Sequence, residues 1–308
     1  MIRKTLLVII SILIVLFVFA DNTSLKLRIN DDQSISLSRF FHSVLPGKSF
    51  NIFIESENID SVLVSCESGK LITRGNGKWK YVSPKNPGNY NIEIKDHSSN
   101  SEITLVVFVL TPSTELKGEY LNKYRIGNYP NQMYKGKKNY DKPLGFIEVT
   151  ELNKNLFITP HFQLKQFLCK QISNWPKYLI INPKLLIKLE YLVDALQQLG
   201  HDVNTLSIMS GYRTPFYNKA IGNVKYSRHI YGDAADVYVD ENMDEVIDDL
   251  NGDGKYNMED ALVIHSLLSE LENDPVNDHL IGGIGSYRKN SVHTYFIHVD
   301  TRGYRARW

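Results

Sequence analysis

The chain has 308 residues, about twice the length of a typical single domain, so two domains with separate cores are expected. Its 35 basic and 34 acidic residues leave a formal charge of +1, which excludes the basic footprint that a nucleic-acid backbone or an anionic membrane surface demands. Two cysteines, Cys66 and Cys169, are too few for a disulfide framework or a four-cysteine zinc knuckle, and read as buried small side chains or one bridge.

At the amino terminus Arg3 and Lys4 precede a 15-residue apolar run, residues 6–20, interrupted only by Ser11 and followed by Asp21. This is the layout of a secretory signal peptide, with Val18 and Ala20 as the small residues before a cut after Ala20. The run is shorter than the roughly 20 residues a membrane-spanning helix needs. An uncleaved anchor, with membrane attachment through this segment alone, is the alternative. Both place the rest of the chain outside the cytoplasm, in the periplasm or cell envelope.

Residues 25–112 are short alternating or β-branched stretches, at 50–55, 61–65, 90–95 and 103–110, separated by Gly, Pro, Asn and Ser turns. That pattern predicts a β-sandwich. Trp79 and Tyr81, followed by Pro87, Gly88 and Tyr90, resemble the late strands of bacterial immunoglobulin-like domains. No catalytic cluster stands in this region, whose role is either spacing and docking or packing against the second domain. Residues 113–149 form a Gly-, Lys- and Tyr-rich connector without periodicity, and the domain boundary is placed there.

From residue 150 onward helical spacing appears. Phe162, Leu164, Phe167 and Leu168 fit one short helix, and Leu185, Leu186, Leu189, Leu192, Val193 and Leu196 form an apolar stripe that ends at Gly200. Strand-like segments follow at 205–210, 235–240 and 295–300, so residues 150–308 are expected to form an α+β domain with a small antiparallel sheet and flanking helices. The fold class of the whole chain is therefore α+β.

Three stretches in this half belong together: Ser210-Gly211-Tyr212-Arg213, then Ser227-Arg228-His229 through Gly232, Ala234 and Asp236, then His298-Val299-Asp300. They resemble, in order, the motifs of the LAS-type zinc peptidases, a family that includes D-alanyl-D-alanine carboxypeptidases and murein endopeptidases. The stretch from Gly282-Gly283-Ile284-Gly285 and Tyr287 to Arg302, Gly303 and Trp308 resembles the envelope murein endopeptidase branch. The resemblance implies zinc held by His229, Asp236 and His298, and peptidoglycan as the polymer acted on. Elementary chemistry points the same way, since a catalytic zinc takes three imidazole or carboxylate ligands and leaves a fourth position open. Gly232 allows a tight turn after His229, and the small Ala234 and Ala235 let Asp236 return to the same metal.

His298 and Asp300 lie two apart on a strand and share a face, so Asp300 is expected to orient a group of the metal site. Arg213 either caps a helix at the surface or, as the resemblance implies, contacts substrate and stabilises a developing oxyanion. Relatives carry a His or Glu shortly before the last histidine ligand. Here His293 is the candidate general base, because Tyr295, a phenol with a pKa near 10, is no ordinary base.

A second metal is expected between the second and third zinc ligands. Residues 249–260 fit a twelve-residue calcium loop, with Asp249, Asn251, Asp253, Asn257 and Asp260 at positions one, three, five, nine and twelve, Lys255 offering its carbonyl at seven, and Gly254 at six. The loop resembles a single dockerin-type loop, with a helix following through Leu262, Val263, Leu267, Leu268 and Leu271. An Asn/Gly/Asp-rich surface turn that binds nothing is the alternative. Two functions remain in view: a zinc peptidase cutting peptidoglycan stem peptides or cross-links, with D,D- or L,D-specificity open, and a non-catalytic metal-containing wall-binding protein.

Overall fold

The computed structural model describes residues 22–308, and the signal-peptide or anchor reading of residues 1–20 lies outside the described residues. The amino-terminal part is built from nine strands: β1 (Asn22–Ile29), β2 (Ile35–Leu37), β3 (Arg39–Val44), β4 (Ser49–Glu55), β5 (Val62–Cys66), β6 (Lys70–Gly75), β7 (Lys78–Val82), β8 (Gly88–Asp96) and β9 (Ser101–Val109). Period-two alternation decides their faces. In β4, Phe50, Ile52 and Ile54 are buried while Ser49, Asn51 and Glu55 are exposed.

The strands form two sheets, ordered β2-β1-β4-β7-β6 and β3-β9-β8-β5. Leu25, Leu27, Ile52, Ile54 and Tyr81 from the first meet Ile92, Ile94, Leu105 and Val107 from the second in one core. Strand β3 runs parallel to β9, with Arg39 opposite Thr104. The other pairings in both sheets are antiparallel.

The connector has structure that its lack of periodicity concealed. Strand β10 (Thr111–Pro112), the short hairpin β11 (Tyr120–Leu121) with β12 (Tyr124–Arg125), and β13 (Gly145–Val149) lie in it or border it. β13 pairs with both β10 and β14 (Lys177–Leu179). Leu121, Tyr124, Ile126, Tyr129 and Phe146 are buried in the carboxy-terminal core. Of the two tyrosines, Tyr129 donates to the Ile230 carbonyl at 3.0 Å, whereas the buried Tyr124 hydroxyl has no hydrogen-bond partner among the described residues.

Helix α1 (Pro183–Gln198) starts where Asn182 accepts from the Lys184 amide and Pro183 takes the first helical position. Its apolar stripe is buried as the spacing predicts. Then come β15 (Ser207–Ser210), α2 (Pro215–Ala220), β16 (Ala234–Tyr238), α3 (Met258–Asn273), β17 (Gly283–Tyr287), β18 (Phe296–Asp300) and β19 (Ala306–Arg307). The sheet order is β15-β16-β18-β17-β19. It is antiparallel except that β19 runs parallel to β17, which corrects the all-antiparallel expectation.

Two helical readings also change. The segment around Phe162 is only a 3-10 turn, Leu164–Phe167. In α3 the buried apolar face is Ala261, Ile264, Leu267, Leu268 and Leu271, which keeps Leu267, Leu268 and Leu271 of the expected stripe and leaves Leu262 43% exposed.

Side chains cross between the two halves. Ile187, Leu271 and Leu280 enter the amino-terminal core, while Phe41, Val106 and Phe108 enter the carboxy-terminal one. Cys66 and Cys169 are unbridged, and Cys169 is buried. Among the described residues no helix is long and apolar enough to cross a membrane.

Candidate metal centre

The centre of the second sheet brings the three motifs together. Asp236 on β16 stands opposite His298 on β18 and opposite Ser210 on β15. His229 arrives from a 3-10 turn, Arg228–Tyr231, that ends at Gly232. Gly232 has φ +72°, and a Cβ there would stand 2.3 Å from the Ile180 carbonyl oxygen, so no other residue lets the chain turn back into β16. His229, Asp236 and His298 are 2%, 4% and 6% exposed. One ligand atom from each lies within 4.8 Å of the others, and this is the one such His/Cys/Asp/Glu group among the described residues.

The outer nitrogens of both imidazoles are already committed. His229 Nδ1 lies 2.7 Å from the Gly211 carbonyl and His298 Nε2 lies 3.0 Å from Asp300 Oδ2, so each of these nitrogens donates. The inner nitrogens, His229 Nε2 at 3.2 Å and His298 Nδ1 at 2.9 Å, both face Asp236 Oδ1. Two imidazole lone pairs aimed at one carboxylate oxygen repel unless a positive charge sits among them. The donor set therefore fits a divalent zinc ion, with both rings held in the ligating tautomer by fixed acceptors.

Without a metal ion, protonation of His298 supplies that positive charge. Burial alone would raise Asp236, but the His229 and His298 imidazoles hold its carboxyl well below the usual range. Burial alone would lower His298, but its bonds to Asp236 and Asp300 and their charges raise it to about 9. His229 is pushed down by burial, against the pull of Asp236.

Arg213 is no surface cap. It donates to Asp236 Oδ2 at 2.6 Å and to Ser210 Oγ at 2.7 Å, which leaves Oδ1 of Asp236 free to face the imidazoles. Its Nη1 has no hydrogen-bond partner among the described residues.

Asp300, expected among the catalytic residues, is 0% exposed. It accepts from His298, from the Gly283 amide at 2.8 Å and from Arg302 Nε at 2.9 Å. Its partners are all protein groups, and its part is to hold His298.

His293 stands outside the cluster. Its Nδ1 lies 2.8 Å from the Thr294 carbonyl, its Nε2 is 2.7 Å from Asn290 Nδ2, and its ring meets Phe296 edge-on at 4.9 Å. Both ring nitrogens are engaged locally because the chain enters strand geometry only at Phe296, after a turn that directs His293 to Asn290.

The loop 249–260 closes on itself through its own side chains. Asp249 accepts the amides of Gly252, Asp253 and Gly254, Asn251 accepts that of Asp253, and Asp253 accepts that of Lys255. Asn257 caps α3 by accepting from the Glu259 amide. Asp260, fully buried, accepts from the Leu250 and Asn257 amides. Of the other carboxylates, Asp233 is tied to Arg228, and burial raises it to about 6 despite that cation. Asp240 accepts two turn amides, from Asp244 and Glu245.

Sequence reasoning missed two supports. Lys188, on the buried face of α1, pairs with Glu272 at 2.5 Å and donates to the carbonyls of Leu280 and Asp300, both at 3.1 Å. A lysine among leucines was the signal. Trp308 packs its indole 5.2 Å from the His298 ring, and a Cβ on Gly285 would stand 2.3 Å from Trp308 Nε1. Gly285 thus leaves the space that Trp308 occupies.

No curated protein matches the chain. Among solved structures, SGBP-B of the Bacteroides ovatus mixed-linkage glucan utilization locus, in complex with a mixed-linkage heptasaccharide, is similar at 15% identity, over 30% of this chain and 38% of that chain. The TM-score is 0.16, and the likeness carries no argument. Residues 160–253 match the family model described as Peptidase M15, a stretch that holds Ser210 through Arg213, His229 and Asp236, and this match together with the buried His/Asp/His group supports a peptidase that uses zinc.

Proposed function

We propose that this chain is an exported zinc peptidase that hydrolyses peptide bonds in the stem peptides or cross-links of bacterial peptidoglycan. The observation that carries the reading is the convergence of His229 Nε2, Asp236 Oδ1 and His298 Nδ1, with each imidazole locked from behind. When bound, zinc supplies a Lewis acid and brings the pKa of a water to about 7. Around it, Arg213 fixes Asp236 through Nη2, is itself braced by Ser210 through Nε, and offers Nη1 to a developing oxyanion as a permanently charged donor. Asp300 keeps the proton of His298 on Nε2. The amino-terminal sheets, read as an immunoglobulin-like module, brace the catalytic half through their shared cores.

Purified protein tests this directly. Zinc near one per chain, lost in His229→Ala and Asp236→Ala, together with release of soluble fragments or free D-alanine from isolated sacculi that stops on chelation, is the expected result. Zinc content unchanged in both variants refutes the ligand set. The placement of His293 outside the cluster favours one second reading, a metal-containing wall-binding protein without hydrolysis. Sacculus binding with no released fragment would select it.

The loop 249–260 adds a calcium site to the proposal. Its Asx turns hold Asp249, Asn251 and Asp253 in one tight loop at the one, three and five spacing that a calcium loop uses. Bound calcium would clip the segment that joins β16 to α3.

A further inference from the structure

A cleft of about 850 Å³ opens between the connector and α2, with no metal ligand in its wall. The connector is pinned to α2 at one point. Gly127 has φ +83°, a Cβ there would stand 2.5 Å from the Phe216 amide nitrogen, and that amide donates to the Ile126 carbonyl at 3.0 Å. Ile230, the residue after His229, also lines the cleft.

Its charge is one-sided. Arg125, Lys142, Lys219 and Lys225 line it against a single carboxylate, Glu119. Glu119 is already satisfied by Arg125 at 2.7 Å and by Asn128 at 2.6 Å, and Arg125 is further held 4.1 Å over the Phe216 ring. Three exposed ammonium groups remain without an ion pair among the described residues. Lys142 meets only the neutral Asn131 amide, at 3.2 Å, and Lys225 only the Tyr226 ring, at 5.3 Å. In a chain whose formal charge is +1, three unpaired cations around one cleft are a local asymmetry. Between them the walls are apolar, from Pro130, Pro143, Phe146 and Phe216.

We propose that this cleft binds a carboxylate-bearing peptide, with Lys142, Lys219 and Lys225 reading its acidic groups and the apolar walls taking its small side chains. The idea rests on the peptidase reading and names which part of the substrate is held: the acidic stem peptide, whose alanine methyls and free carboxylates match a wall of prolines and phenylalanines rimmed by lysines.

The test uses the full chain with zinc stripped by chelation, so that binding is read without turnover. A stem tetrapeptide of alanine, glutamate, a diamino acid and alanine is titrated by calorimetry into wild type, Lys142→Glu/Lys219→Glu and Lys142→Arg/Lys219→Arg. Charge reversal is expected to weaken binding about tenfold or more, the arginine pair to restore it, and higher salt to weaken it in wild type. Three results would overturn the proposal: no binding by wild type, affinity unmoved by charge reversal, or inorganic phosphate displacing the peptide as well as a second peptide does. Zinc content and sacculus digestion, measured on the same variants, report separately on the peptidase reading. Zinc and cutting retained with peptide affinity unmoved sinks the cleft alone, and peptide affinity retained without zinc or cutting sinks the peptidase alone.

Discussion

Replacing Asp300 by Asn keeps the shape of the side chain and removes its charge, which makes the support behind His298 measurable. The carboxylate receives donors from His298 Nε2, the Gly283 amide and Arg302. An Asn must turn its own NH2 toward one of these donors, and it cannot satisfy all of them. If the NH2 faces His298, Nε2 becomes the acceptor and the proton moves to Nδ1, the atom that must carry a lone pair for zinc. If it faces Arg302, a guanidinium whose side chain is only 16% exposed loses its counter-charge. Partners of this kind are worth about 10- to 100-fold in metal affinity, roughly 1.4 to 2.7 kcal/mol. Breaking a buried pair costs up to about 3 to 5 kcal/mol of stability, which a domain holding roughly 5 to 15 kcal/mol survives at low temperature. The assay is zinc competition against a chromogenic chelator, run at a temperature where near-ultraviolet dichroism shows both proteins folded. An Asp300→Asn protein that holds zinc within twofold of wild type would refute the tautomer argument.

Three further outcomes follow from particular contacts. His293→Ala should keep its zinc and cut sacculi within about threefold of wild type, because its ring nitrogens are spent on Asn290 and Thr294; a hundredfold loss of rate with zinc retained would restore it as the general base. Millimolar calcium should raise the melting temperature of wild type and leave Asp253→Ala unmoved, since loops of this kind outside cells bind at about 0.1 to 1 mM, and equal insensitivity of both would make residues 249–260 a plain turn. Lys188→Met strips a fully buried Glu272 of one partner and two carbonyls of a donor, so denaturant unfolding should show a loss of about 3 kcal/mol; a change below about 0.5 kcal/mol would show that Arg307, also bonded to Glu272, suffices.

Local chemistry made much of this chain legible. The alternation of Phe50, Ile52 and Ile54 announces a strand, and the three-and-four spacing from Leu185 to Leu196 announces α1, because burial of one face is written into periodicity. His229, Asp236 and His298 were legible as a set because each sits in a short motif whose residues are themselves part of the geometry, as Gly232 shows with its left-handed φ and its close approach to Ile180. Other features depended on partners distant in the chain. The connector has no period, yet its tyrosines are buried by elements far along the sequence. His293 was read as a base from its place shortly before His298, while the direction of its ring is set by Asn290 and Thr294, which that spacing does not report. Asp300 was read as an orienting group and also as a catalytic one; only the packing of Gly283, Arg302 and His298 around it settles that it faces inward. Periodicity and motif report what a residue needs from its neighbours in sequence, whereas a proton's position or a ring's direction is set by whichever donor or acceptor the fold brings within about 3 Å.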